Sequence, residues 1–334
     1  MFNGCNYLKQ LNLSNFNTHK VKFMNGMFKS LYSLYELNLN NFNTDNVEDM
    51  QEMFQFCSNL ISIDLSGFNT SKVKNMNKMF NSCDRLTSLD LSSFNTKEMR
   101  NMENMFSGCV NLLNLNIGNF DVNNVVKMNS MFKSCRNLTS LDLSSFKTSK
   151  VDNMESIFSE CTSLIYLDIS NFDTSKLTSM DKFFYGCSSL TSLDISSFIT
   201  TNVKSFYSMF ESCSKLTSLD LSRFNTSNAV SLYGLFYDCI SLVKINISSF
   251  DTSKVTSMGR MFDNCKSLTS LDISNFKFNE VENIVYMFSN CISLKNLNIQ
   301  NFIGKKINLL SGMFKDCHNL TSINLSILLN FSMF

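Results

Sequence analysis

The chain has 334 residues, with 29 Lys and Arg against 28 Asp and Glu, 32 Phe, 20 Met, 12 Cys and neither Pro nor Trp. This balanced charge gives no net positive field that would hold nucleic acid or an anionic membrane, so we expect neither kind of partner. No apolar run approaches the roughly 20 residues of a membrane span, and the N-terminal stretch lacks the apolar segment of a secretory signal, so we expect no membrane insertion.

The chain repeats one phrase of 26 residues. Residues 86–109 read LTSLDLSSFNTKEMRNMENMFSGC, and residues 138–161 read LTSLDLSSFKTSKVDNMESIFSEC. Phe recurs at this spacing from Phe2 to Phe314, thirteen times and without insertion or deletion. A repeat this short cannot bury its own apolar side chains, but stacked copies bury each other's. The sequence therefore predicts one solenoid domain spanning residues 1–334.

The first half of each repeat has the pattern of a short strand followed by a turn. Leu89 and Leu91 flank Asp90 in strict alternation with polar residues, which predicts a strand with one buried face. The next residues, SFNT, predict a turn in which Asn95 bonds to nearby backbone and Thr96 forms the N-cap of a helix.

The second half of each repeat has the pattern of a short helix. Met99, Met102, Met105 and Phe106 follow at the spacing of one helical stripe. The expected unit is therefore strand, turn and helix, and about 13 such units are expected to stack with parallel strands on one face of an α/β solenoid. Residues 327–334 leave the pattern, so we expect an improvised apolar cap or the end of a truncated chain there.

The phrase LTSLDLSSFNT, joined to V-x-x-M-x-x-M-F-x-x-C, closely resembles the repeat of BspA-like leucine-rich-repeat surface proteins of bacteria, also described as a mycoplasma repeat domain of unknown function. The resemblance covers essentially the whole chain. It implies a leucine-rich-repeat-like solenoid at a cell surface or outside the cell, with adhesion to a protein or cell-surface ligand as its role. Because Met1 and Phe2 stand inside a repeat and no export signal is visible, we expect a fragment or a member exported differently.

A cysteine closes almost every repeat. The positions are Cys5, Cys57, Cys83, Cys109, Cys135, Cys161, Cys187, Cys213, Cys239, Cys265, Cys291 and Cys317. Leu31 stands at the missing position, and Leu can replace a small buried thiol but not a bridge partner or metal ligand. The side chains of a straight column also do not point toward one common centre, as the four ligands of a zinc ion must. The sequence favours core thiols, with some disulfides or a metal site as alternatives.

Every repeat carries Asp or Asn at the middle outward position of its strand, and four consecutive repeats carry Asp. This column is either a solvated face whose Asp and Ser side chains bond along the stack, or a recognition surface for a basic protein patch or a divalent cation. Tyr166 replaces the common Ser beside the acidic run, and aromatic side chains are enriched in binding hot spots. The predicted partner-binding residues are Asp142, Tyr166, Asp168, Asp194 and Asp220.

The sequence shows no pattern of a catalytic or cofactor site. Its two histidines, His19 and His318, lie near opposite ends of the chain, so we expect no Ser-His or Cys-His pair. Phosphate-binding and dinucleotide-binding glycine motifs are missing too. We therefore predict a non-catalytic repeat protein, without a cofactor, that mediates protein–protein or cell-surface interaction. A passive structural spacer without a specific partner is the alternative.

Overall fold

The computed structural model describes residues 1–299, 302 and 304–323. The chain forms two compact units, unit 1 (Met1–Asp173) and unit 2 (Thr174–Phe334). In each unit the 26-residue repeats form successive coils that hydrogen-bond to one another in parallel, so each unit is a solenoid. A single domain over residues 1–334 stays a prediction, and the expected cap at 327–334 lies outside the described residues.

Short parallel strands form at the leucine-rich phrase of the coils. Within the described residues they are β1 (Ser88–Asp90) and β2 (Asn114–Asn116) in unit 1, and β3 (Ser218–Asp220), β4 (Lys244–Asn246), β5 (Ser270–Asp272), β6 (Asn296–Asn298) and β7 (Ser322–Ile323) in unit 2. The pairing of β1 with β2 sets Asp90 opposite Asn116, so equivalent positions of successive coils form columns. Leu89 and Leu91 are buried and Asp90 is exposed, as the alternation predicts.

The predicted helix in the second half of each repeat is wrong, since no residue of 1–299, 302 and 304–323 is helical. The backbone there makes successive tight turns, and the amides point along the stack. Glu52 N–H donates to the carbonyl of Asn77 at 2.8 Å, and Phe54 N–H donates to Met79 at 2.9 Å, each one coil further on. These bonds between coils replace the bonds within a helix.

Two left-handed residues per coil explain why the helix does not form. Glu52 has a φ of 57° and Phe56 a φ of 62°, and equivalent pairs recur along both units. A left-handed residue ends a helix, and a helix of about two turns is unfavourable to nucleate on its own. Buried backbone amides need hydrogen-bond partners, and in the stacked turns they find these partners in the next coil.

Columns of identical side chains form the core of each unit. In unit 1 the rings of Phe54 and Phe80 stack with centroids 5.5 Å apart, and in unit 2 Phe210 and Phe236 stack at 5.8 Å. Met50 is fully buried, and the equivalent methionines of the other coils also belong to the core. The constant spacing of Phe in the sequence therefore stacks the rings of successive coils within both units.

A column of buried threonines joins successive coils. Thr96 Oγ1 donates to the carbonyl of Asp121 at 3.0 Å and accepts the N–H of the same residue at 2.7 Å. The predicted N-cap role of Thr96 is therefore wrong, because there is no helix to cap and its hydroxyl bridges two coils. The expected role of Asn95 is confirmed, since its Oδ1 accepts the N–H of Lys97 at 3.2 Å.

The cysteines form another core column. All twelve are free thiols, and ten are buried, whereas Cys5 is exposed and Cys317 is partly exposed. Cys57 Sγ donates to the carbonyl of Phe28 in the preceding coil at 3.1 Å, and eight other buried cysteines make the equivalent bond. The prediction of core thiols is confirmed for these ten residues.

Candidate interaction surface

Three columns of outward side chains form a surface that we call the strand face of unit 1. The first column is Gln10, Glu36, Ser62, Ser88, Asn114, Ser140 and Tyr166; the second is Asn12, Asn38, Asp64, Asp90, Asn116, Asp142 and Asp168; the third is Ser14, Asn40, Ser66, Ser92, Gly118, Ser144 and Ser170. The face therefore carries five carboxylates and no Lys or Arg. Its leucine and isoleucine neighbours point inward, so the surface is polar and negatively charged.

Each carboxylate of the second column is held by a bond to the turn that follows it. Asp90 Oδ1 accepts the N–H of Ser92 at 3.0 Å, and Asp168 Oδ1 accepts both the N–H and the hydroxyl of Ser170. This is the usual local bond of Asp and Asn side chains, which favours a turn over further strand. Asn38 accepts from its own turn in the same way. The bonds run within a coil, whereas the sequence interpretation placed them along the stack.

These bonds also keep the acids ionised. The backbone N–H and the hydroxyl of Ser92 lower the pKa of Asp90 below its usual value. The hydroxyl and backbone N–H of Ser144 do the same for the pKa of Asp142. The strand face of unit 1 therefore stays negative at neutral and mildly acidic pH.

The predicted site residues divide between the two units. Asp142, Tyr166 and Asp168 lie on adjacent coils of unit 1, and all three are exposed, with 65% of Tyr166 accessible. Asp194 and Asp220 are equally exposed but belong to unit 2. The structure thus brings the first three together on one face, and their role in binding stays a prediction.

The columns at the equivalent repeat positions of unit 2, which we call its strand face, differ in charge from the strand face of unit 1. Lys244 stands in the coil that follows Asp220, and the two residues line a concavity of about 470 Å³. Bonds from Ser196 lower the pKa of Asp194, and the positive charge of Arg223 contributes to the same shift. Cations therefore partly offset the acids of unit 2.

Sequence reasoning missed two features of unit 1. The first is a groove of about 760 Å³ over its first coils, lined among others by Glu36, Asn38 and Asp64. The second is a column of exposed apolar side chains beside the strand face, which we call the apolar column: Tyr35, Ile61, Leu113 and Ile165. The available signal was the residue after the first Leu of each repeat, where Ile or Leu alternates with Thr from residue 61 to residue 165.

Across residues 1–299, 302 and 304–323, no three His, Cys, Asp or Glu side chains come together as a metal site. The divalent-cation interpretation of the acidic column therefore gains no support there. The same residues contain no helix that is long and apolar enough to cross a membrane.

Comparison with protein families gives one match. The family model described as "Mycoplasma protein of unknown function, DUF285" matches residues 1–112, 83–166, 165–245 and 215–327. Together these segments cover nearly the whole chain, which confirms the resemblance to the mycoplasma repeat. The comparison with curated proteins gives no match.

Solved structures of bacterial repeat proteins are also similar. A leucine-rich repeat protein from Bacteroides ovatus is 21% identical, with 81% of this chain and 74% of that chain covered and a TM-score of 0.46. A leucine rich cell surface protein from Faecalibacterium prausnitzii is 18% identical, with 84% and 76% covered and a TM-score of 0.41. Both TM-scores are below 0.5, so the solenoid fold of each unit is assigned from the hydrogen bonds between its own coils and not from these two structures.

Proposed function

The chain belongs to the DUF285 family of mycoplasma repeat proteins, and we propose that it is a non-catalytic interaction protein that binds a protein partner through the strand face of unit 1. The family description assigns no function, so the proposal depends on the surface of the chain itself. The observation that carries it is the set of five carboxylates, one in the first column and four in the second, on a face without Lys or Arg. The partner would present a basic patch, because opposite charge speeds association and fixes register.

The charge of this face is not a by-product of its turns. Asn38 completes the same turn as Asp90 does, so turn formation alone would be satisfied by a neutral column. Neighbouring carboxylates about 5 Å apart repel each other by roughly 0.8 kcal/mol in water. In a passive spacer, the alternative function, nothing offsets this repulsion. A basic partner bound to the strand face would offset it.

The geometry favours binding in a second way. The second-column carboxylates are held by bonds to their own turns, so little conformational freedom is lost when a partner docks. Exposed Tyr166 stands beside them and supplies the aromatic anchor that interfaces favour. Adhesion and a position at a cell surface, which the repeat resemblance implies, belong to this proposal.

Charge neutralisation tests the proposal. Asp142→Asn with Asp168→Asn keeps the oxygen that each turn needs but removes two charges from the strand face. We expect at least a fivefold loss of ligand captured from a host-cell surface extract, measured by quantitative mass spectrometry of the bound proteins. Asp152→Asn, an exposed carboxylate in the same unit outside the strand face, is the matched control and is expected to leave capture unchanged. Equal capture by all three proteins would contradict the proposal.

A further inference from the structure

The apolar column of unit 1 identifies the shape of the partner. Ile61, Leu113 and Ile165 leave 43%, 51% and 56% of their surfaces exposed, although the Leu that precedes each of them is buried. Ile61 and Leu113 also line a cavity of about 280 Å³, with Thr87 between them. Exposed apolar side chains arranged along one line are typical of an interaction site.

The spacing along this column fits an α-helix. Ile61, Leu113 and Ile165 stand on alternate coils, and the intervening coils carry Thr87 and Thr139. Two strand spacings amount to roughly 9.6 Å, and seven residues of an α-helix rise about 10.5 Å. A helix laid across the strands therefore brings one apolar residue per two turns near each apolar side chain.

The width of the surface also fits a helix. The apolar column and the second, acidic column are three residues apart along each coil, for example Leu113 and Asn116 on one coil, or Ile165 and Asp168 on another. Three strand residues span roughly 10 Å, about the diameter of a helix, whereas a single added strand would be about 5 Å wide. A helix is therefore wide enough to contact both columns at once.

The charges decide which side of the helix faces which column. Arg85 lines the cavity on the side of the apolar column that lies away from the carboxylates. The strand face on the other side carries the five acids and no cation. We propose that unit 1 binds an amphipathic basic helix, with its apolar stripe on the apolar column and its Lys and Arg stripe on the carboxylates. This inference rests on the proposed function and names the chemistry of the partner.

Titration calorimetry with two synthetic helical peptides of about 20 residues tests the inference. One peptide has a Leu stripe beside a Lys stripe, and the other has the same composition with both residue types distributed around the helix. We expect the striped peptide to bind the full chain at least tenfold more tightly. Ile61→Thr, Leu113→Thr and Ile165→Thr together are expected to abolish that preference, because Thr stands naturally at Thr87 and Thr139 in this column.

Val243→Thr is the matched control, since Val243 occupies the equivalent position in unit 2 with 43% of its surface exposed, and it is expected to change nothing. Equal binding of both peptides would overturn the helix inference and leave the acidic strand face as a binding surface. A triple variant that retains the preference would overturn the helix inference as well. Binding of neither peptide would also overturn it, and the proposed function would then be judged by the capture experiment alone.

Discussion

Nine of the ten buried cysteines donate a thiol hydrogen bond to a Phe carbonyl of the preceding coil, and burial governs the acidity of these thiols. Removal from water raises the pKa of Cys57 and of Cys109 to about 12. The folded-state pKa lies above the unfolded value of about 8.5, so this contribution to stability is complete below pH 8.5. It is lost as the pH rises toward 12, because the unfolded chain then binds fewer protons.

Thiol labelling tests this account of the cysteines. The thiolate is the reactive form, so the ten buried thiols are expected to resist a disulfide-exchange reagent at pH 8 while exposed Cys5 reacts at once. Partly exposed Cys317 is expected to react more slowly. After denaturation, all twelve thiols are expected to react. Spectrophotometric counting of fast-reacting groups checks this, and several fast thiols besides Cys5 in the native protein would contradict the buried column.

The threonine column is the element that joins one coil to the next. Thr96→Val removes both hydrogen bonds to Asp121, so the backbone N–H and carbonyl of Asp121 lose the hydroxyl as a partner. We expect the free energy of unfolding to fall by about 2 to 3 kcal/mol, measured by chemical denaturation followed by circular dichroism. Val122 occupies the equivalent position in the next repeat and is buried, so the shape of Val is tolerated there.

Thr96→Ser is the control for this prediction, because it keeps the hydroxyl and removes only a methyl group. We expect it to retain most of the stability that Thr96→Val loses. Equal loss in both variants would assign the effect to packing, and no loss in either would show that the bonds between coils contribute little.

The elements show what the repeat pattern predicts well and what it does not. The alternation of Leu89 and Asp90 correctly gave a half-buried strand, because side-chain direction follows directly from a period of two. Met99, Met102 and Met105 indicated a helix, but successive three-residue turns give the same inward spacing. What decides between them is a bond from Met102 N–H to the carbonyl of Lys127 in the next coil, which no local pattern encodes.

The site was predictable to a similar degree. Exposure of Asp142, Tyr166 and Asp168 followed from their strand positions and is confirmed. The acidic run as one surface was not confirmed, because Asp194 and the residue that follows it in the run belong to the second unit. The apolar column was not predicted because Thr interrupts it on alternate coils, and the sequence alone does not show that its Ile and Leu side chains are exposed.

At the scale of the whole molecule, the two units share one coil design but differ in the charge of their strand faces. The only charged side chains on the strand face of unit 1 are carboxylates. Unit 2 has Lys244 in the equivalent columns and Arg223 near them. A basic partner therefore has its complementary surface in unit 1. Because the columns repeat, binding energy would be distributed over several coils, and single charge changes are expected to weaken binding only in part.

The central claim is that a ligand covers the strand face of unit 1. Its most direct test is carbodiimide footprinting of carboxylates by mass spectrometry, with and without the captured ligand bound. We predict that labelling of Asp90, Asp142 and Asp168 falls several-fold in the complex, while Asp152 outside the strand face labels as in the free protein. Unchanged labelling of those three residues in a ligand-saturated complex would contradict the claim.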